Sequence, residues 1–186
     1  MLSHSILKSK GYSLVELTIA LSITAIVALL AVPSATQGML QIGVENTASQ
    51  IVALSGFART EALRRGYNVV LCGAAVNGPK NLTGCIGNTN WSSGLLVYQD
   101  LNLAGGYDNA NERIRFISFE SGISVISNQA NISFSSNDTN AVSAVTVCVG
   151  KSYPGLGKYF SQQISINNYT ASVTCTKTTN ATCLGC

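Results

Sequence analysis

Charge is scarce in this sequence. Charged residues occupy 10% of its 186 positions, against about 25% in an ordinary soluble domain. Histidine is scarcer: the single one, His4, lies in the first eleven residues, ahead of an apolar run. Beyond residue 11 the chain therefore has no imidazole for acid–base catalysis, for Ser-His or Cys-His nucleophiles, or for histidine-ligated zinc. A broad basic field is lacking as well. The formal net charge is +3, and without Lys8 and Lys10 nine basic residues face eight acidic ones, a net of +1. Nothing of that size attracts nucleic acid over a distance. There is no glycine-rich phosphate loop, no convincing pair of catalytic carboxylates and no internal repeat. These absences exclude most enzyme classes, and we read the chain as a non-enzyme with no cofactor and no metal.

What is present begins with hydrophobicity. The mean hydropathy is +0.28, raised by one segment. Residues 1–11 are short, polar and basic at their end; from Tyr12 to Val32 the chain is apolar except for Glu16 and a few hydroxyls. Those 21 residues would span about 31 Å as a helix, the thickness of a bilayer core at about 30 Å. The run is longer than the apolar region of a secretory signal, and no small-residue cleavage site ends it. Basic residues ahead of it favour a cytoplasmic N-terminus and an external C-terminus. A carboxylate inside such a span costs roughly 2.5–3.5 kcal/mol on insertion scales. Glu16 therefore either lies near the headgroups or pairs with a positive group on another subunit.

The segment Gly11-Tyr12-Ser13-Leu14-Val15-Glu16 resembles the prepilin peptidase site of type IV pilins and type II secretion pseudopilins. In that family the leader is cut after the glycine and the new N-terminal residue is methylated. The resemblance implies a leader at 1–11, cleavage after Gly11, N-methylation of Tyr12 and a transmembrane helix over 12–32. Tyr12 stands where the family usually has Phe, which retains an aromatic ring. Glu16 falls fifth from the cut, as the family's glutamate does, and would neutralise the Tyr12 amine of a neighbouring subunit during assembly. Pro33 matches a proline that family members often carry after the span.

From 33 to 66 a second helical pattern follows. Leu40, Val44, Thr47, Ile51, Leu54, Ala58 and Ala62 recur in steps of three and four, one face of an α-helix packing on the protein's own sheet. Arg64 and Arg65 suit the last turn, and Gly66 suits the residue after it. Pro33, Gly38 and Gly43 weaken this helix and predict a kink or a melted stretch. Short β-branched runs then appear at Tyr67–Cys72, Gly94–Gln99, Ile114–Phe119, Ile123–Ile126, Ile132–Phe134, Val142–Val149, Ile164–Ile166 and Ala171–Cys175, separated by Gly, Asn and Ser. This is a hairpin-rich antiparallel pattern, with loops expected at Gly150–Lys158 and an irregular tail at Thr176–Cys186. The fold class is α+β: a long N-terminal helix, its first half in the membrane, on an antiparallel sheet head at 67–186.

The stretch from Trp91-Ser92-Ser93-Gly94 through Asp100 and Asn102 to Glu112-Arg113-Ile114-Arg115 is similar to the GspH/FimT branch of pseudopilins and minor pilins. There a W-x-x-G strand leads through D-x-N turns to an E-x-I-R-like strand. Together the two resemblances cover the chain to about Phe119. They imply a pilin-like fold and a structural subunit whose partners are other pilins, the prepilin peptidase and, before assembly, the inner membrane. The head would lie in the periplasm and later on the cell surface in a pilus or pseudopilus.

Six cysteines, Cys72, Cys85, Cys148, Cys175, Cys183 and Cys186, follow the apolar segment. In an exported domain an even set reads as disulfides. We expect Cys72–Cys85 and Cys148–Cys175, leaving Cys183–Cys186, although six cysteines allow 15 pairings. Asp100, Asn102, Gly105 and Asp108 partly imitate a calcium loop, but Ala104 and Asn111 fail two ligand positions. Turn chemistry explains the same residues. The Asn-x-Ser/Thr triplets at Asn81, Asn90, Asn131, Asn137, Asn168 and Asn180 arise easily in so Asn-rich a chain. Lys151, Lys158 and Lys177, with Arg113 and Arg115, could contact DNA, as in DNA-binding minor pilins of the FimT branch. The tail has one lysine and no arginine, however, and scattered solvated charge is the reading we prefer. The leading expectation is a minor pilin that helps initiate assembly at or near the tip of a type IV pilus. The alternatives are a GspH-like pseudopilin of type II secretion and a DNA-binding minor pilin for transformation.

Overall fold

A computed structural model of the chain describes residues 11–78, 81–102, 106–135, 144–152, 159–167 and 170–179, with only the backbone described at 29–37 and 175–179. The chain divides into two compact units, Met1–Gly38 and Met39–Cys186.

One helix, α1 (Leu14–Arg65), accounts for 52 residues. It contains Pro33, Gly38 and Gly43 without a melted stretch, which removes one of the two outcomes expected from them. A proline deletes one rung of the hydrogen-bond ladder, and cooperative propagation on both sides carries a helix of this length across it. Its end follows the sequence. Gly66 adopts φ +72°, and its N–H donates to the Ala62 carbonyl at 3.0 Å, the left-handed stop for which glycine carries no Cβ penalty.

In the second unit, nine strands follow among the described residues. These are β1 (Val69–Val76), β2 (Leu82–Cys85), β3 (Leu95–Gln99), β4 (Arg113–Ile117), β5 (Ser124–Ser127), β6 (Asn131–Phe134), β7 (Val145–Ser152), β8 (Tyr159–Ile166) and β9 (Ala171–Thr179). The first sheet runs β2-β1-β3-β4, with β6 also paired to β1; the second runs β5-β7-β8-β9. Every pairing is antiparallel. The bridge Asn90 to Ile126 links the loop before β3 to the second sheet.

A common core joins the helix to both sheets. Val44, Ala48, Ile51, Leu54, Ala58 and Ala62 of α1 meet Val69, Leu71, Leu95, Val97, Ile132 and Phe134 of the first sheet, and Val125, Val145, Val147, Val149, Phe160, Ile164 and Ile166 of the second. The anticipated helical stripe is thus the buried face, with Leu40 at its half-buried start. Alternate residues of β1 and β3 build a second, smaller core on the other side of the first sheet. It consists of Val70, Cys72, Ala74, Leu96 and Tyr98, covered by Leu82, Cys85, Tyr107 and Phe116.

Several expectations need correction. β2 gave no strand signal, being four residues with a glycine inside. β8 extends five residues before Ile164, where Ser161, Gln162 and Gln163 concealed the alternation. The tail is not irregular from Thr176: β9 continues to Thr179 along β8, and β7 likewise runs past Gly150 to Ser152, while 153–158 lie outside the described residues. Cys72 and Cys85 form the expected disulfide, their Cα atoms 5.8 Å apart. Cys148–Cys175 does not fit the strand order. Cys148 pairs with Gln163, and Gln163 with Cys175, so β8 lies between them. Two strand spacings amount to about 9.6 Å, beyond the reach of a disulfide.

Candidate functional site

The site expected from the sequence lies at the start of α1. Gly11 has no side-chain neighbour within 4 Å, and Tyr12 is 78% exposed. The Ser13 carbonyl accepts the Leu17 N–H at 3.1 Å, opening the helix, and Glu16 occupies the first turn. A carboxylate there faces the positive end of the helix dipole, and the described contacts give it no ion pair. Leu14, Val15, Leu17, Ile19, Leu21, Ile23, Ile26 and Val27 are all exposed. A helix apolar on every side needs an apolar surrounding, whether lipid or other helices.

The hydroxyls in this stretch are adapted to such surroundings. Thr18 Oγ1 donates to the Val15 carbonyl at 2.8 Å, Ser22 Oγ to Thr18 at 2.8 Å, and Thr24 Oγ1 to Leu21 at 2.9 Å. Each polar hydrogen is spent within the helix, so none is left unsatisfied in a medium without water. Among the described residues no helical stretch is long and apolar enough to cross a membrane. The side chains described in the apolar run end at Ala28, and Pro33 falls among residues described by backbone alone.

In the head, the end of α1 carries a cluster that the sequence reading missed. Glu61, nearly buried, accepts Arg64 Nη2 at 2.8 Å and Arg65 Nε at 2.6 Å. Arg65 Nη1 also donates to Gln99 Oε1 of β3 at 3.0 Å. The hydrogen bond from Arg64, then that from Arg65, holds the Glu61 carboxyl down to about 2. The spacing E-x-x-R-R was its available signal; the reach to Gln99 had none. Its chemistry is mechanical: it clamps the last helical turn to the sheet.

The Asp100–Glu112 loop supports the turn reading. Asn102 Nδ2 donates to Asp108 Oδ2 at 2.6 Å, and the Asp108 N–H to Glu112 Oε2 at 2.9 Å. Asn111 N–H meets its neighbour Asn109 at 2.9 Å. Gly105 and Ala104 lie outside the described residues. Among the described residues no group of His, Cys, Asp and Glu could hold a metal ion. The loop does act on Tyr98, whose hydroxyl is pushed up to about 12 by burial and then by Asp100, Glu112 and Asp108.

Lys151 stands opposite Phe160 on β8, and the backbone of Lys177 stands opposite Ser161, in the neighbouring row of the ladder. Lys158 lies outside the described residues, as do Cys183 and Cys186. Arg115 sits over the Phe57 ring at 5.5 Å, beside a groove of about 450 Å³ lined by Gln50, Ala53, Leu54, Ile117 and Ser118. No acid–base pair lines that groove.

Comparison with known proteins matches two family models to the chain. The first, "Type II transport protein GspH", matches residues 47–170; the second, "Prokaryotic N-terminal methylation motif", matches residues 6–32. No curated protein matches. Among solved structures, two crystal forms of the type IV minor pilin FimU from Pseudomonas aeruginosa PAO1 are similar at 13% identity. One has a TM-score of 0.46, covering 74% of this chain and 99% of that one; the other has 0.45, covering 80% and 100%. With a family model spanning two thirds of its length, over the packed half of α1 and eight of the strands, and a methylation motif over its exposed apolar start, the chain belongs to the GspH/FimT family of pilin-like proteins.

Proposed function

We propose that this protein is a minor pilin, a structural subunit of a type IV pilus that acts at or near the tip in initiating assembly. The observation that carries this reading is the start of α1: an apolar surface exposed on every side, interrupted by the carboxylate of Glu16 in its first turn. Such a surface is stable in a bilayer before assembly and among other pilin helices afterwards. On this reading the prepilin peptidase cuts after Gly11 and Tyr12 becomes N-methylated. The head lies in the periplasm until the subunit enters the filament. Glu16 then meets the Tyr12 amine of a neighbouring subunit, an ion pair that fixes axial register because an unpaired carboxylate in an apolar core is expensive. Pro33 belongs to the same assembly segment.

The experiment is to delete the gene and follow piliation and protein secretion together. Loss of surface pili with normal secretion, and recovery of the subunit with sheared pili, is the expected result. Lost secretion with intact pili would establish the second reading, a type II secretion pseudopilin, which the description of the matching family model favours. Uptake of DNA lost with both intact would point to a DNA-binding minor pilin.

A further inference from the structure

β4 (Arg113–Ile117) ends the first sheet. It pairs with β3 on one side and with no described strand on the other. One row of its backbone N–H and C=O groups faces outward, a template for a further strand. The register assigns its side chains to faces. Arg115 stands opposite Val97 and Ile117 opposite Leu95, and Val97 and Leu95 belong to the common core under α1. Directly opposed residues share a face, so Arg115 and Ile117 project on the helix side of the sheet, two residues apart. There, with Ser118, they line the groove of about 450 Å³ whose other wall is Gln50, Ala53 and Leu54 of α1. Leu54 is buried and Ile117 half-buried, which makes the floor apolar, while Arg115 is exposed.

We propose that this groove and the free edge of β4 take an extended strand from another polypeptide chain, bearing a carboxylate and an apolar side chain two residues apart. The strand adds to β4 through its backbone. Its carboxylate meets Arg115, and its apolar side chain lies on Ile117 and Leu54.

Charge selects this occupant. The Arg115 guanidinium is stacked over the Phe57 ring, 5.5 Å from its centroid. Stacking occupies the face of the guanidinium and leaves its in-plane N–H donors to a carboxylate. No described carboxylate takes them: the ion pairs among the described residues are those of Glu61. Arg113, also exposed, adds a second positive charge to the same strand. A second copy of this chain fits poorly. Two β4 strands paired antiparallel over all five residues would set Arg115 against Arg115, and like charges directly opposite repel. An acidic strand gains where a like strand loses. The outward row of amides favours a polypeptide over a nucleic acid, which has no strand to add. On the pilus reading the donor is a neighbouring subunit; the donor's identity rests on that reading, and the chemistry of the groove does not.

The test uses the full-length protein in its own cells. Photoreactive p-benzoylphenylalanine replaces Ser118, exposed at the groove, or in a control Thr83, exposed on β2. After irradiation, crosslinked peptides from sheared pili and from membranes are sequenced by mass spectrometry. The expected product from position 118 is a peptide of a different chain with Asp or Glu two residues from Val, Ile or Leu. Arg115→Glu should lower its yield more than about tenfold. Exchanging the partner's carboxylate for lysine should restore the yield in that background, which a mere loss of folding would not allow. Unchanged yield in Arg115→Glu, or no rescue by the exchange, would overturn the proposal. So would crosslinks only to a second copy of this chain or to nucleic acid, or none from position 118 beyond those from position 83. Absence of the subunit from sheared pili, with the expected crosslink present in membranes, would instead overturn the pilus reading and leave this one standing.

Discussion

At the scale of single residues, two glycines and one glutamate make sharp claims. Gly73 lies flat under the indole of Trp91, and a Cβ added there would run into the ring. Gly94 adopts φ +137° with the Ile117 carbonyl against the missing Cβ. Gly94→Ala combines backbone strain with a clash against main chain that cannot swing away; it should destabilise by about 1–3 kcal/mol, read as a lowered midpoint in urea. Trp91 is fully buried, and its indole N–H finds no acceptor among the described residues. Trp91→Phe should therefore lose much less than the roughly 3–5 kcal/mol of Trp91→Ala, because it removes an unsatisfied donor along with some packing. Glu61 sets a pH dependence. Its carboxyl is held at about 2 in the fold, against 4.5 when unconstrained. The folded state thus binds the proton less readily than the unfolded one. The stabilisation is full above 4.5, fades as pH falls below it and is absent once pH passes below about 2. Thermal melts between pH 6 and pH 2 should show that loss, and it should be smaller in Glu61→Gln.

At the scale of elements, α1 works by two different rules along its length. Its second half buries one stripe, so position on the helix decides the outcome of a substitution. Ile51 is fully buried and Leu63 is 58% exposed. Ile51→Ala should cost about 2–5 kcal/mol, and Leu63→Ala should stay within about 0.5, both measured by chemical denaturation. The stripe was legible in the sequence because steps of three and four survive any arrangement of the rest of the chain. The strands were legible where short runs of β-branched and other apolar residues stand between turn residues, as in β1, β3 and β7. They were not where polar residues line both faces: Ser161, Gln162 and Gln163 sit in an inner strand of the second sheet, between β7 and β9, and their burial comes from neighbours that no local pattern announces. The Cys72–Cys85 bridge closes β2 onto β1. Its removal by Cys85→Ser should lower head stability by about 2–5 kcal/mol.

At the scale of the molecule, the surface proposed for assembly is distinct from the core of the head. The described side chains of the core belong to residues from Val44 onward, whereas Tyr12, Glu16 and the apolar positions around them are exposed. Glu16→Ala should leave the unfolding transition of the detergent-solubilised protein unchanged while sharply reducing its recovery in sheared pili. Equal loss of both would mean that Glu16 supports the fold rather than the filament. The Glu61 clamp is the converse case, since it ties the end of α1 to β3: Glu61→Ala should weaken the head and reduce pili only through that instability.

The sequence by itself determined the class of protein. A lone carboxylate in an apolar run after a glycine, a stripe at helical spacing and β-branched runs between turns are local signals. Their meaning does not depend on which distant segment lies alongside. Only the tertiary structure decided the strand order, and with it the matters that follow from order: β8 between Cys148 and Cys175, Lys151 and Lys177 in different rows, Trp91 over Gly73, and Arg65 at Gln99. Each depends on which strands become neighbours after the chain has closed loops of tens of residues. That choice is made by the burial of whole faces together rather than by any short stretch of residues.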